Sequence, residues 1–274
     1  MEFGARSEVG RIRKNNEDSF AVSREMNLFV VSDGMGGQAS GEIASRLAVE
    51  TVLAHCFESG SNSTSPFVGE RIAGISETSN RLASGIRSAN QAIQRAARES
   101  AAQRGMGATI VAVRCEGERM SVAHVGDSRA YRLRDNELEQ LTLDHSLVAE
   151  QVRHGELTEE EGSASEHQNV LLRGLGIDVE VEVDVTDELL VERDVILLCT
   201  DGLTHEVSDT RIASILRDAS DPQQAADQLV NAANQAGGRD NITAIVLLPF
   251  SQRTGTFSRA GRLGKWLRSL GDQS

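Results

Sequence analysis

The chain has few aromatic residues, 3% of its 274, with one tryptophan and one tyrosine. Grooves that stack bases or sugar rings lean on aromatic faces, so this scarcity argues against both. It also disfavours a glycosidase working through paired acids. With three prolines, the chain is no Pro-rich low-complexity sequence. The three cysteines, Cys56, Cys115 and Cys199, are odd in number, far apart and form no Cys-x-x-Cys pair. They read as buried, reduced thiols of a cytosolic protein. No apolar run approaches the ~18 residues that a membrane span needs. The start, MEFGARSEVGRIRKNNED, carries no apolar signal segment. The expected location is therefore cytoplasmic. Positive charge is short as well: 28 Lys+Arg against 41 Asp+Glu leave a net −13. A body this acidic repels phosphodiester backbones, so no nucleic-acid partner is expected. There is no GxGxxG or GxxxxGK[ST] phosphate loop, no Cys/His cluster for zinc and no DxDxDG calcium loop.

What is present is a set of short apolar runs. Leu28–Val31, Thr109–Val113, Ser121–Val125, Ala130–Leu133, Val195–Cys199 and Ile242–Leu248 are rich in β-branched residues and bounded by Gly, Asp or Asn. Val179–Val185 (VEVEVDV) alternates strictly, which predicts a strand with one wet face. Helical spacing marks Gly41–Cys56, residues 71–102 and Asp221–Ala236, the last opening on Asp-Pro and closing before Gly237-Gly238. Thr210–Asp218 is a further short helix. The close succession of runs at 109–113, 121–125 and 130–133 favours an antiparallel sheet with helices packed outside, hence an α+β fold. Ser59–Glu70 reads as a surface loop. Residues 144–168 are polar and partly helical, and form a flap between two strand regions within a domain spanning 1–250.

Residues 251–274 differ in character. Arg253, Arg259, Arg262, Lys265 and Arg268 face one acid, Asp272, giving the tail +4 and the remainder −17. Leu263, Trp266, Leu267 and Leu270 fall at i, i+3, i+4 and i+7, a basic amphipathic pattern. It fits a tail lying on the body, or one that docks on a membrane surface or a protein partner.

Four carboxylates share one sequence context. Asp33 follows LFVVS, Asp127 follows VAHVG, Asp201 follows VILLCT, and Asp240 precedes ITAIVLL. Three sit at strand ends and one at a strand start. In an antiparallel sheet one strand's start lies beside its neighbour's end, so all four can reach one rim, joined by Glu17 of NNED. One Asp-Gly pair is an ordinary turn. Converging carboxylates repel unless protonated or bridged by cations, and an all-oxygen set suits Mg²⁺ or Mn²⁺.

These residues carry a resemblance. Arg13-x-x-Asn16-Glu17-Asp18, VVSDGMGGQASGEIAS (30–45), GMGAT (105–109), HVGDSRAYRL (124–133), LTLDHSLV (141–148), NVLLRGLG (169–176), LLCTDGLT (197–204) and GGRDNITAIVL (237–247) occur in this order. Over about residues 4–249 the chain resembles the bacterial metal-dependent (type 2C, PPM) serine/threonine phosphatases. The resemblance implies a four-layer αββα architecture, an antiparallel β-sandwich flanked by helices on both faces. It implies two Mn²⁺ or Mg²⁺ ions and a weaker third. By the same carry-over, Asp33 bridges both metals, Asp201 and Asp240 hold one, and Glu17 with the Gly34 carbonyl hold the other. Asp127 with Asp201 serves the third site, Arg13 grips the substrate phosphate, and Asp18 and Asn241 support the set. A hydroxide bridging two metals attacks phosphorus directly, so no cysteine is needed. Gly34, Gly36 and Gly37 let the backbone approach a metal.

The implied partners are phosphorylated proteins and a cognate Ser/Thr kinase, and the implied state is a monomer. Against the family pattern, Met35 stands where many eukaryotic members have His. Gln38 replaces a common His, GMGAT replaces GMGTT, and Glu166-His167-Gln168 shortens a Pro-containing turn. His145 and His167 are read either as substrate contacts from the flap or as structural hydrogen-bond partners. Two other readings stay open: a phosphatase-like scaffold or binding module without turnover, and a metal-dependent hydrolase of a non-protein phosphoester.

Overall fold

The computed structural model describes residues 1–36, 40–61 and 66–250. Two antiparallel sheets lie face to face. One contains β1 (Glu2–Glu8), β7 (Arg129–Arg134), β8 (Glu137–Gln140), β10 (Val195–Cys199) and β11 (Ile242–Leu248), in the order β1-β11-β10-β7-β8. The other contains β2 (Asp18–Ser23), β3 (Leu28–Met35), β5 (Ile110–Glu116), β6 (Arg119–Val125) and β9 (Asp184–Leu189), in the order β2-β3-β5-β6-β9. The two-residue β4 (Gly107–Ala108) pairs with β3.

The layering follows from the period of two in the central strands. Their runs are apolar on both faces, as a sheet covered on both sides requires. Phe29 and Val31 of β3, Val111 and Val113 of β5, and Ile196 and Leu198 of β10 point between the sheets, together with Ile245 and Leu247 of β11. The alternate residues point outward. Leu28, Val30, Ile110 and Ala112 meet α1 (Ser40–Ser61) and α2 (Glu77–Glu99). Leu197, Cys199, Ala244 and Val246 meet α6 (Asp209–Asp218) and α7 (Pro222–Ala236). Burying a side chain such as Ile86 of α2 contributes about 1.5–3 kcal/mol. The result is the expected αββα sandwich. α3 (Leu147–Arg153) and α4 (Glu159–Ser163) lie within the 144–168 segment, and α5 (Asp201–Thr204) follows β10.

Helix starts follow their caps. Asp221 accepts from the Gln224 amide with Pro222 in the first turn, as the sequence predicts. α2 begins at Glu77, later than the periodicity from 71 suggests. Ser76 caps it and is itself held by Asp187 of β9.

Two strand expectations need correction. VEVEVDV does not form a strand over 179–185; pairing begins at Asp184. The carbonyls of Asp178 and Val179 are taken by the side-chain amides of Asn90 and Gln94, while Val181 and Val183 are buried without laddering. Ala130–Leu133 does not continue the sheet of 109–125 but crosses to the other sheet as β7. The strands β1, β2 and β8 lie outside the predicted set. All three cysteines are free and buried, and burial pushes their thiols up, Cys56 to about 11 and Cys115 and Cys199 to about 12. Among the described residues no helix is long and apolar enough to cross a membrane. Gly37, Gln38 and the tail 251–274 lie outside the described residues.

Candidate active site

The predicted carboxylates converge. A cleft of about 410 Å³ is lined by Arg13, Glu17, Asp33, Gly34, Asp127, Asp201, Asp240 and Asn241, joined by Lys14, Asn15, Met35, Thr109, Asn169 and Leu171. Each acid arrives on a different piece of backbone. Asp33 lies within β3, directly opposite Asp18 of β2. Asp201 opens the short helix after β10, and Asp240 precedes β11, the neighbour of β10. Asp127 sits in the connection from β6 to β7, where the chain passes between sheets, just after Gly126 at φ +103°.

Glu17 and the Gly34 carbonyl meet at the N-terminus of α1. A Cβ added at Gly41 would stand 2.6 Å from the Gly34 carbonyl oxygen and 2.7 Å from Glu17 Oε2, so only glycine permits this approach. Asn241 acts as a bracket. Its Oδ1 accepts the Glu17 amide at 2.7 Å, and its Nδ2 donates to the carbonyls of Val9 and Asn15, both at 2.9 Å. Asp18 is buried beneath the site. Its Oδ2 accepts from the hydroxyls of Thr200 (2.9 Å) and Thr243 (2.7 Å), joining the two sheets. Arg13 is about half exposed at the mouth and donates to Asp240 Oδ2 at 2.8 Å.

The electrostatics are those of a crowded anionic site. Burial, then the charges of Asp18, Asp201, Asp127 and Asp240, hold the Asp33 carboxyl well above the usual range. Burial and Asp201 do the same to Asp127. Burial raises Asp201, opposed by His205 and reinforced by Asp240. Burial pushes Asp18 up to about 7 despite its two threonine donors. Asp18 Oδ1 and Asp201 Oδ1 are buried with no hydrogen-bond partner. An orphaned buried acceptor is costly, and the one on Asp201 in this anionic cleft fits a divalent cation, as do the all-oxygen donors.

Spacing alone does not reveal several contributors. Thr109 Oγ1 accepts from the Asp33 amide at 2.9 Å and lies 2.7 Å from Ser128 Oγ. His205 Nδ1 is 3.5 Å from Asp201 Oδ2; the i,i+4 relation is the signal that would have found it. Asn169 and Leu171 reach the cleft from NVLLRGLG. His145 is buried and is not among the residues that line the cleft. His124, His145 and Asp184 also approach one another closely enough to suggest a metal. Their cation is already present, however: the Arg173 guanidinium pairs with Asp184 Oδ1 at 2.5 Å and lies 3.2 Å from His145 Nε2.

A family model described as Protein phosphatase 2C matches residues 11–245. The chain belongs to the protein phosphatase 2C family. The Listeria welshimeri serine/threonine phosphatase stp is 37% identical over 250 residues, covering 90% of this chain and 95% of that protein. The crystal structure of the Mycobacterium tuberculosis serine/threonine phosphatase PstP/Ppp aligns with TM-score 0.76 at 35% identity, over 89% of this chain and 97% of that one. A PstP catalytic domain in complex with two manganese ions aligns with TM-score 0.73 at 36% identity, over 89% and 96% of the two chains. As a member of the protein phosphatase 2C family, this chain is a Mn²⁺/Mg²⁺-dependent protein-serine/threonine phosphatase.

Proposed function

We propose that this phosphatase hydrolyses phosphoserine and phosphothreonine in proteins by direct attack of water on phosphorus, reversing the action of a Ser/Thr kinase in the same cytoplasm. The P–O bond to the seryl or threonyl oxygen breaks, the side-chain hydroxyl is released, and inorganic phosphate leaves. The carrying observation is the convergence of Glu17, Asp33, Asp127, Asp201 and Asp240 on one cleft, with the buried Oδ1 of Asp201 left unpartnered.

Asp33 would bridge two divalent ions, Asp201 and Asp240 would hold one, and Glu17 with the Gly34 carbonyl the other. Asp127 with Asp201 would take a weaker third. When bound, the cations would lower the pKa of a shared water and offset charge on the phosphoryl oxygens. Arg13 presents a planar fork to two phosphate oxygens at the open side of the cleft. Its ion pair with Asp240 holds it at the mouth until phosphate competes for it. Asn241 fixes the 9–17 loop against Asp240, and Asp18 fixes one sheet against the other beneath Asp33. The domain spans 1–250, acts as a monomer, and carries its flap over about 144–168.

The test is hydrolysis of a phosphothreonine peptide in Mn²⁺, beside EDTA and beside Asp201→Asn. Turnover that vanishes in both controls supports the proposal. The same loss is expected for Asp33→Ala and Asp240→Ala. Full activity of any of these variants with metal present overturns the ligand assignment. No turnover by folded, metal-loaded protein overturns the substrate assignment.

A further inference from the structure

His145 makes a two-sided contact with a single residue. Its Nδ1 accepts the Gly126 amide at 3.1 Å, and its own amide donates to the Gly126 carbonyl at 3.0 Å. On its other side, Nε2 lies 3.4 Å from Asp184 Oδ2 and 3.2 Å from Arg173 Nη1. The ring is stacked on His124, with centroids 4.6 Å apart and planes 21° apart, and His124 Nε2 is fixed 2.8 Å from the Leu143 carbonyl. The His145 carbonyl accepts from Leu172 at 2.8 Å, and Ser146 bridges to Leu171, which lines the cleft. Gly126 immediately precedes Asp127. Its φ of +103° is a conformation most residues avoid, and a Cβ there would lie 2.7 Å from Thr109. The turn that aims Asp127 is therefore held from outside.

We propose that His145 is a positioning residue for Asp127. Its Nδ1 fixes the Gly126 amide and so the direction of the Asp127 carboxylate, while its backbone ties that turn to the Leu171–Arg173 base of the flap. Asp184 and Arg173 orient the ring from the far side, the arrangement by which outer groups tune a ligand they do not share. The consequence is selective: the weakest cation site, the one served by Asp127, depends on His145, whereas the sites served by Asp33 and Asp240 do not. This inference rests on the ligand assignment proposed above.

The experiment titrates the full chain with Mn²⁺ alone, by calorimetry and by melting temperature, comparing His145→Gln, His145→Asn, Asp184→Ala and Asp127→Ala. Asparagine places an acceptor near the position of Nδ1; glutamine does not. Expected is an about tenfold weaker last Mn²⁺ phase in His145→Gln, with the tighter phases and the metal-free melting temperature of the asparagine variant kept. His145→Asn should lie within about twofold of wild type on the same phase. Asp184→Ala, a change at the half-buried outer end, should weaken it about threefold and serves if the glutamine variant does not fold. Equal weakening in both His145 variants, or none in His145→Gln and Asp184→Ala, overturns the proposal. If Asp127→Ala itself leaves the weak phase intact, the ligand assignment has failed instead.

Discussion

Replacing Asp18 by asparagine should stabilise the metal-free protein at pH 8 and do nothing for it at pH 5. The Asp18 carboxyl is raised from its ordinary 3.8 to about 7, first by burial and then by Asp201 and Asp240, against the pull of the Thr243 and Thr200 hydroxyls. For an acid raised in the fold, the native state keeps its proton where the unfolded chain has lost it. Stability then falls as pH rises from about 4 to about 7, and the loss is complete above that. Below 3.8 both states are protonated and there is no penalty. At pH 8 the penalty is on the order of 4 kcal/mol, and at pH 5 on the order of 1–2 kcal/mol. The amide of Asp18→Asn carries no charge, and its oxygen can still accept from both threonines. Its NH₂ takes the place of the unpartnered Oδ1, which costs about 1–3 kcal/mol. The net gain at pH 8 is about 2 kcal/mol, or about 4–8 °C in Tm for a chain of this size. Near pH 5 gain and cost cancel. Calorimetric melting in EDTA at the two pH values is the assay. A variant destabilised at pH 8 by as much as at pH 5 would refute the claim that Asp18 sits there at an electrostatic cost. The same variant should lose activity with Mn²⁺ present.

Three further outcomes follow. Arg13→Lys should raise KM for a phosphothreonine peptide about tenfold with a smaller change in kcat, since an ammonium cannot match the bidentate fork; steady-state kinetics decide. Asn241→Ala removes three hydrogen bonds that bracket residues 9–17 and should cost about 2–4 kcal/mol in urea unfolding, with weaker Mn²⁺ binding. Trp266 is the only tryptophan, so its emission reports on the tail: a blue shift with anionic vesicles is expected if the tail docks on them. No shift, with unchanged activity after deleting 251–274, would make the tail passive.

The strands legible in the sequence are the interior ones. β3, β5, β6, β7, β10 and β11 are flanked on both sides and largely buried, and the apolar runs within them stand out. The strands missed or misplaced, β1, β2, β8 and β9, are the four edges. There one side is unpaired and the residues are mixed, as in EFGARSE and ELEQ, so no apolar run marks them. Hydrophobic patterning reports burial, not hydrogen bonding. VEVEVDV shows the difference: Val181 and Val183 are buried, yet Asn90 and Gln94 satisfy the backbone just before them. The acids were legible because they recur at strand ends. Their hydroxyl partners were not. That Thr200 and Thr243 meet over Asp18, or Thr109 meets Ser128, depends on register across strands far apart in sequence.

The seam between the two sheets has a consequence for folding. Asp18 and Asp33 belong to one sheet, Asp201 and Asp240 adjoin the ends of β10 and β11 of the other, and Asp127 lies in the strap between them. Neither sheet alone holds the complete ligand set proposed above, and the sequence separation between Asp33 and Asp240 spans most of the chain. During refolding, high-affinity Mn²⁺ binding can therefore arise only after the sheets have docked, however early either hairpin forms. On that assignment the metal centre is a clasp that cannot close before the sheets dock, and recovery of Mn²⁺ binding clocks that closure independently of secondary structure.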